Sequence, residues 1–570
     1  MCARPLGGLR PGRMGQTPII FRIHRQNARL PVTELKKRVS AVMVAAGLAL
    51  FAGTAAQAAT VLNRGNGGEP STLDPHRTDG RIESNILRDL FEGLVVYGPD
   101  GRILPGVAES WQVSEDGKLY SFQLRADARW SNGDPVTAED FVYSLRRALT
   151  PKDGIQPSAN MRVIKGAAAV IDGSKPADTL GVAAPNPRTV TIALEAATPY
   201  FLDLIAADNS ALPVHRATVE SQRERWTDPG KMVSNGAYVL EEWRARQQIG
   251  LGRNANFHGR NGVAIDKVNF FPIDDASEEV DRFKAGTLHL TYEVPQDRVK
   301  WISLTEPKVF WNRPFLATYY YAFNLTVEPF KSNRDLRRAL SLAVNRENIV
   351  DKVTRAGETP AYGLVPPIVP NYRRQTADFI AEPMDNRLRE ARRLFSAAGF
   401  SPMQPLAVEI LYNQSENNRV IADAVISMWQ DAFGKGIQVK PVSVERTDYL
   451  KRRARRDFQI VRAAWIGDYA DPTVFLNLML STALPPRNDP GYRSRKYDDL
   501  LAKAAASEDA AQRSSLLGQA EKTMIDDDPV IPIYHFSTKS LVSQQIKGWV
   551  YNVRDVHPSR FLSFAEKAAS

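Results

Sequence analysis

The sequence predicts an α/β protein of more than one domain, and three observations carry that expectation. The chain has 570 residues, more than one ordinary hydrophobic core takes up, so it should divide into two or three domains. Its apolar content, 43%, is that of a globular protein. Strand-like and helix-like stretches alternate most plainly from about 330 to 530, where an α/β lobe is expected.

The N-terminus reads as a targeting segment. Lys36-Lys-Arg38 is a positive start, 41–51 an apolar stretch, and Ala56-Gln-Ala58 a small-x-small cleavage site. The apolar stretch is short for a spanning helix, so cleavage before Ala59 is expected rather than anchoring. No later stretch is long and apolar enough to span. Residues 1–34 are basic, with Pro and Gly, and belong to no clear structural class. They stand outside the fold, and a translation start nearer Leu30 or Val32 is one reading of them.

Within the fold, 119–124, 189–194, 406–412 and 437–442 read as strands, rich in β-branched and aromatic residues. Thr137-Ala-Glu-Asp140 has the capping-box pattern of a helix start, followed by Phe141, Leu145 and Leu149 at helical spacing. Amphipathic helices are expected over 385–398 and 418–433. The basic run Lys451-Arg-Arg-Ala-Arg-Arg456 reads as a solvated helix face. Asp274-Asp275 and Asp526-Asp-Asp528 read as loop and helix-end acids. No low-complexity run or fixed-period repeat stands out.

Charge argues against a nucleic-acid partner. The whole chain is +10, but residues 1–58 hold nine of the 74 Lys/Arg and one of the 64 Asp/Glu, which leaves 65 against 63, about +2. The single cysteine, Cys2, lies in the discarded segment. The mature chain therefore has no thiol chemistry, no disulfide and no Cys for a lipid anchor.

Catalytic patterns are thin. There is no Gly-x-Ser-x-Gly elbow, no His-Glu-x-x-His and no Walker loop. The seven histidines, at 24, 76, 215, 258, 289, 535 and 557, show no close metal-ligand spacing. His535, inside the apolar run Val530-Ile-Pro-Ile-Tyr-His-Phe536, reads as a core or pocket-lining residue. No enzyme, cofactor or metal is expected.

The most informative stretch is Arg462-Ala-Ala-Trp-Ile-Gly-Asp-Tyr-Ala-Asp-Pro472. A strand over 458–461 is expected to run into a turn and then a helix. Asp471-Pro472 suits the helix start, an Asp cap followed by Pro. Asp468 has no such duty. Between Trp465 and Tyr469, a lone carboxylate is costly unless a cation meets it. That cation is either an Arg or Lys of the protein or the ammonium of a ligand.

Several further segments, in order along the chain, bear on this choice. They are Glu69-Pro-Ser-Thr-Leu-Asp-Pro75, Arg88-Asp-Leu-Phe-Glu-Gly-Leu94, Leu104-Pro-Gly-Val-Ala-Glu-Ser-Trp111, Trp130-Ser-Asn-Gly-Asp-Pro-Val-Thr-Ala-Glu-Asp-Phe141 and Asn235-Gly-Ala-Tyr238. Tyr319-Tyr-Tyr-Ala-Phe-Asn324, Arg337-Arg-Ala-Leu-Ser-Leu-Ala-Val-Asn-Arg346 and the Trp465 segment complete the series. From about 60 to about 550 the chain resembles the extracytoplasmic solute-binding proteins of peptide ABC importers, family 5, and most of all their periplasmic oligopeptide-binding members.

The resemblance implies an α/β fold of the periplasmic-binding-protein type II kind, with two lobes, a hinged cleft and a smaller insertion domain. The first lobe would comprise 59–90, 211–316 and 534–570. The insertion domain would be 91–210 and the second lobe 317–533, with chain crossings near Leu316 and Tyr534. The implied function is capture of oligopeptides in the periplasm of a Gram-negative cell for an inner-membrane ABC permease. The receptor would be a monomer with no nucleic-acid partner and no direct membrane insertion. A murein peptide, an oligosaccharide, an opine-like compound or a metal chelate is the alternative ligand, and a secreted hydrolase or peptide chaperone the remote alternative.

The resemblance also implies site residues. Asp468 matches the position that takes a ligand's α-amino group, beside Trp465, and Ala464 and Ile466 match positions that offer backbone groups. Asp79, Gly80 and Arg81 match a ligand-facing stretch of the first lobe. Phe315, Ala317 and Tyr320 match the hinge-side wall. For the ligand carboxylate, Arg462 keeps a family basic position. Thr354, beside Arg355, replaces a Lys, Asn418 replaces a His, and Arg446 replaces a ligand-facing Trp. These departures leave ligand length open.

Overall fold

A computed structural model of the chain describes residues 59–78, 80–483 and 487–565. Residues 1–58, on which the expected targeting segment and Cys2 fall, and Asp79 lie outside the described residues. Three larger sheets organise the rest.

The first sheet has the order Val61–Gly65, Lys267–Phe271, Gln248–Arg253, Tyr238–Arg244. Val61–Gly65 and Lys267–Phe271 are parallel, and the other pairings are antiparallel. Leu62, Ile249, Leu251, Val268 and Phe270 alternate toward a buried face, the period-2 pattern of a strand with one covered side.

The second sheet is antiparallel throughout, in the order Ala108–Val113, Leu119–Leu124, Thr189–Ala193, Val182–Asn186. The helix Ala138–Leu149 lies against it and buries Phe141, Leu145 and Leu149. Its start is the expected capping box, with the Thr137 backbone N–H donating to Asp140 at 2.7 Å.

The third sheet has six strands, in the order Thr359–Pro360, Val530–Leu541, Phe310–Phe323, Ile460–Ile466, Leu406–Asn413, Ile437–Val444. Leu406–Asn413 is parallel to both Ile437–Val444 and Ile460–Ile466. Parallel neighbours need crossovers, and the helices Glu416–Phe433 and Arg446–Ala454 supply them. The long strands Phe310–Phe323 and Val530–Leu541 pair antiparallel from Phe310 opposite Leu541 to Ala322 opposite Val530. Tyr319, Tyr320 and Tyr321 are all buried, which is why this strand reads as a continuous aromatic run without alternation. Leu290 bridges Arg64 on one side and Val542 on the other, joining the long strands to the first sheet.

Two expectations need correction. The strand expected over 458–461 is Ile460–Ile466, because seven register pairs with Ala317–Phe323 hold the backbone extended through Trp465. The turn therefore starts at Gly467. The basic run is also not simply a solvated face. Arg453 is buried and forks onto Asp489 at 2.7 and 2.6 Å, and Arg456 donates to the Asn488 carbonyl at 3.0 Å. Lys451 and Arg455 remain exposed.

His535 is buried as expected, with Nδ1 hydrogen-bonded to Thr318 Oγ1 at 2.9 Å. Asp275 caps the helix Ala276–Lys284, and Asp528 ends the helix Ala510–Asp527 in the left-handed conformation. No helix among the described residues is long and apolar enough to cross a membrane.

Candidate functional site

A cavity of about 290 Å³ lies where the turn after Ile460–Ile466 meets residues from five other parts of the chain. The helix Arg81–Leu90 contributes Arg81, Ser84, Asn85 and Arg88, one face at helical spacing. Ser158 and Asn160 come from one loop, Asp208 and Asn209 from the end of the helix Phe201–Ala207. Phe315 comes from the long strand, and Arg554 and Asp555 from the C-terminal segment.

Asp468 lines this cavity, half-buried. Its Oδ2 accepts from Asn160 Nδ2 at 3.0 Å, and Asn160 Oδ1 in turn accepts from Arg487 Nη2 at 2.9 Å. Among the described residues Asp468 has no ion pair with Lys or Arg, so the protein leaves its charge without a cation. Asp471, the other acid of the turn, is fully engaged. It accepts from Thr473 N at 2.9 Å, starting the helix Thr473–Leu476, and takes both terminal nitrogens of Arg513 at 2.9 Å. Tyr469 is buried and stacks on Tyr200, with ring centroids 4.5 Å apart and planes at 3°. That stack fixes the turn against the start of the helix Phe201–Ala207, whose end carries Asp208.

Asp208 faces the same cavity. Ser158 Oγ and Ser210 Oγ each donate to it at 2.5 Å. Burial raises its pKa, the neighbouring Asp468 raises it further, and the two serines only partly offset this. Arg81 reaches Asp555 at 2.5 Å and lies over the rings of Tyr292 and Phe315 at 5.1 and 5.6 Å. Against the effect of burial, His557 and Arg81 hold the Asp555 carboxyl below its ordinary range.

Of the residues expected from sequence, the cavity brings together Asp468, Ile466, Arg81 and Phe315. Ile466 is 56% exposed at the rim. Gly80 stands just before Arg81 as the helix cap. Ala464 and Trp465 are partly buried strand residues, Trp465 with its Nε1 unpartnered and Arg487 above its ring at 5.8 Å. Arg462 lies outside the cavity lining, its guanidinium 4.7 Å over Tyr319 and its Nε without a partner. It does not pair with Asp468.

Ala317 and Tyr320 are buried within the long strand. Asn418 is buried, donating to Asn413 and accepting from the Tyr319 hydroxyl at 3.3 Å. Arg446 is exposed at the start of its helix. Thr354 is buried and donates to Glu358 at 3.0 Å. Among the described residues no group of three or more His, Cys, Asp or Glu is placed to hold a metal ion.

Sequence reasoning missed Arg88, Ser158, Asn160, Asp208, Arg554 and Asp555. The spacing of Arg81 and Arg88 on one helix face was a usable signal. The others are brought in by folding from distant segments and had none.

Comparison with known proteins places these features in a wider group. Residues 102–484 match the family described as bacterial extracellular solute-binding proteins, family 5 middle. The periplasmic oligopeptide-binding protein OppA of Escherichia coli is 36% identical over 534 residues, 91% of this chain and 96% of the relative. The periplasmic murein peptide-binding protein MppA of Escherichia coli is also 36% identical, over 86% of this chain and 91% of the relative. The structure of Haemophilus influenzae OppA in complex with RPPGFSPFR superposes with a TM-score of 0.76 at 33% identity, over 89% of this chain and 99% of that one. The Escherichia coli MppA structure superposes with a TM-score of 0.77 at 34% identity, over 90% and 99%.

Proposed function

The chain belongs to the bacterial extracellular solute-binding proteins of family 5, and from that premise we propose that it captures oligopeptides in the periplasm and delivers them to an ABC importer. The observation that carries the reading is Asp468, an acid on a cavity wall with a neutral amide for a partner and no ion pair with Lys or Arg among the described residues. A peptide's α-ammonium supplies the missing charge. A receptor for many sequences has to grip what all peptides share, their charged ends and backbone. The exposed edge at Ile466 and the waters that such a cavity admits tolerate varied side chains.

In this reading the first lobe comprises 59–90, 211–316 and 534–570, the insertion domain 91–210 and the second lobe 317–533. The supporting observation is that each of the three sheets draws almost all its strands from one of these parts, while the two long strands pass between lobes. Exported by a cleaved signal peptide ahead of Ala59, the receptor is a monomer that hands its ligand to an inner-membrane permease and does not turn it over. Thr354, Asn418 and Arg446, which stand where the resemblance implies Lys, His and Trp, leave the preferred ligand length open.

Calorimetry with tri-alanine and its N-acetyl form tests the amine reading, and chromatography of the recovered peptide tests for turnover. Equal affinity for the two forms would overturn the role of Asp468. Cleaved product would overturn the receptor reading.

A further inference from the structure

Two arginines of the cavity have no acid. Arg88 donates through Nη2 to the Ala207 carbonyl at 3.2 Å, and Arg554 through Nη1 to the Gly467 carbonyl at 2.9 Å, one residue before Asp468. Among the described residues neither forms an ion pair with Asp or Glu, whereas Arg81 beside them has Asp555. These single backbone contacts leave most of each guanidinium's five N–H donors unused. Burial, with Arg554 close by, pushes Arg88 down to about 10.

None of the acids around the two arginines forms an ion pair with them among the described residues. Asp468 holds Asn160, Asp208 holds two serines, and burial pushes Asp203 up to about 6 despite Arg554. The Tyr97 ring lies 5.9 Å under the Arg554 guanidinium. Burial first, then Arg554, Asp203, Arg88 and Asp468, set the acidity of its phenol. A ligand that brought only an ammonium would add positive charge to a cavity whose arginines are already short of active acids. A zwitterion would not.

We propose that Arg88 and Arg554 form a carboxylate site beside Asp468, so that preferred ligands carry a carboxylate close to their α-ammonium. The proposal rests on the reading of Asp468 as the amine partner. Guanidinium groups match a carboxylate through paired, charge-assisted hydrogen bonds, which separates this site from a generic positive patch. Two sources offer the group: the C-terminal carboxylate of a dipeptide, and the side chain of an acidic first residue in a longer peptide.

Calorimetry on the ligand-stripped protein distinguishes them. The probes are Ala-Ala against its C-terminal amide, Asp-Ala-Ala against Asn-Ala-Ala, and tri-alanine as the reference. In at least one pair the carboxylate form should bind about tenfold tighter or more. The pair that shows the gain identifies the source. Arg554→Gln and Arg88→Gln should each reduce that gain relative to the wild type. If tri-alanine binds but neither pair differs by more than about twofold, or if the gain survives in both variants, the carboxylate site is wrong and the receptor reading stands. If none of the probes binds, the receptor reading falls and the site with it. The wild-type comparison needs no variant, so a misfolded substitution leaves the test intact.

Discussion

Asn160 donates its side-chain amide to Asp468 at 3.0 Å, a contact between residues 308 positions apart. A neutral amide satisfies one carboxylate oxygen and leaves the charge unpaired. The α-ammonium of a peptide should take up that charge in a closed, water-poor cleft. Removing one member of a buried charged pair strands the other, so Asp468→Ala is expected to weaken peptide binding by roughly 2–5 kcal/mol. That corresponds to about thirty- to several-thousand-fold in Kd. N-acetylation should weaken wild-type binding and add little in the variant, since the contact is already gone. Calorimetry on the four combinations decides, and full additivity would reassign Asp468.

Closure is the second expectation. The long strands Phe310–Phe323 and Val530–Leu541 run from the bridge at Leu290 and Val542 into the six-stranded sheet. Periplasmic binding proteins are a known case of hinge closure around ligand. Saturation with peptide should therefore lower the radius of gyration in small-angle scattering. An unchanged radius at saturation counts against a closing cleft.

The buried fork of Arg453 on Asp489 predicts a large loss of stability. Both side chains are buried, and burial raises the Asp489 pKa while Arg453 opposes the rise. Arg453→Met leaves a buried carboxyl uncompensated and should cost about 3–5 kcal/mol. The double change Arg453→Met with Asp489→Leu should recover much of it. Urea unfolding of the three proteins measures the difference.

Two buried histidines predict a pH dependence. Burial pushes His76 down to about 4 and His535 down to about 3, both from an ordinary value of 6.5. At pH values between these limits the unfolded chain binds protons that the folded chain does not. Their contribution is present above pH 6.5 and lost as pH falls toward the folded values, at up to about 1.4 kcal/mol per pH unit for each. Glu279 and Glu521, both raised to about 7 by burial, act in the opposite sense between 4.5 and 7, where stability falls as pH rises. His535→Asn isolates the first effect. Its unfolding free energy should depend less steeply on acid than that of the wild type between pH 4 and 6.5.

Much of the local structure was legible because its causes are local. Thr137 and Asp140 specify a helix start by their own hydrogen bonds, and the apolar positions after them specify the buried face. The strands Leu119–Leu124 and Ile437–Val444 follow from β-branched and aromatic runs. Asp468 stood out in the sequence because Asp471 had a capping duty and it had none. The length of Ile460–Ile466 was not legible, since pairing with Phe310–Phe323 sets it from outside the segment. Nor was the inward turn of Arg453, which depends on an acid 36 residues away.

By itself, then, the sequence determined the α/β character, the targeting segment's pattern, the family resemblance and the acid that stands ready for a cation. Only the tertiary structure decided what surrounds that acid. Asn160 reaches it, and Asp208 and Arg554 line the same cavity, from distant parts of the chain that no periodicity or local propensity connects. Whether a carboxylate meets a guanidinium, an amide or nothing is fixed by long-range packing, and in a low-dielectric cavity that choice sets the charge a ligand must bring.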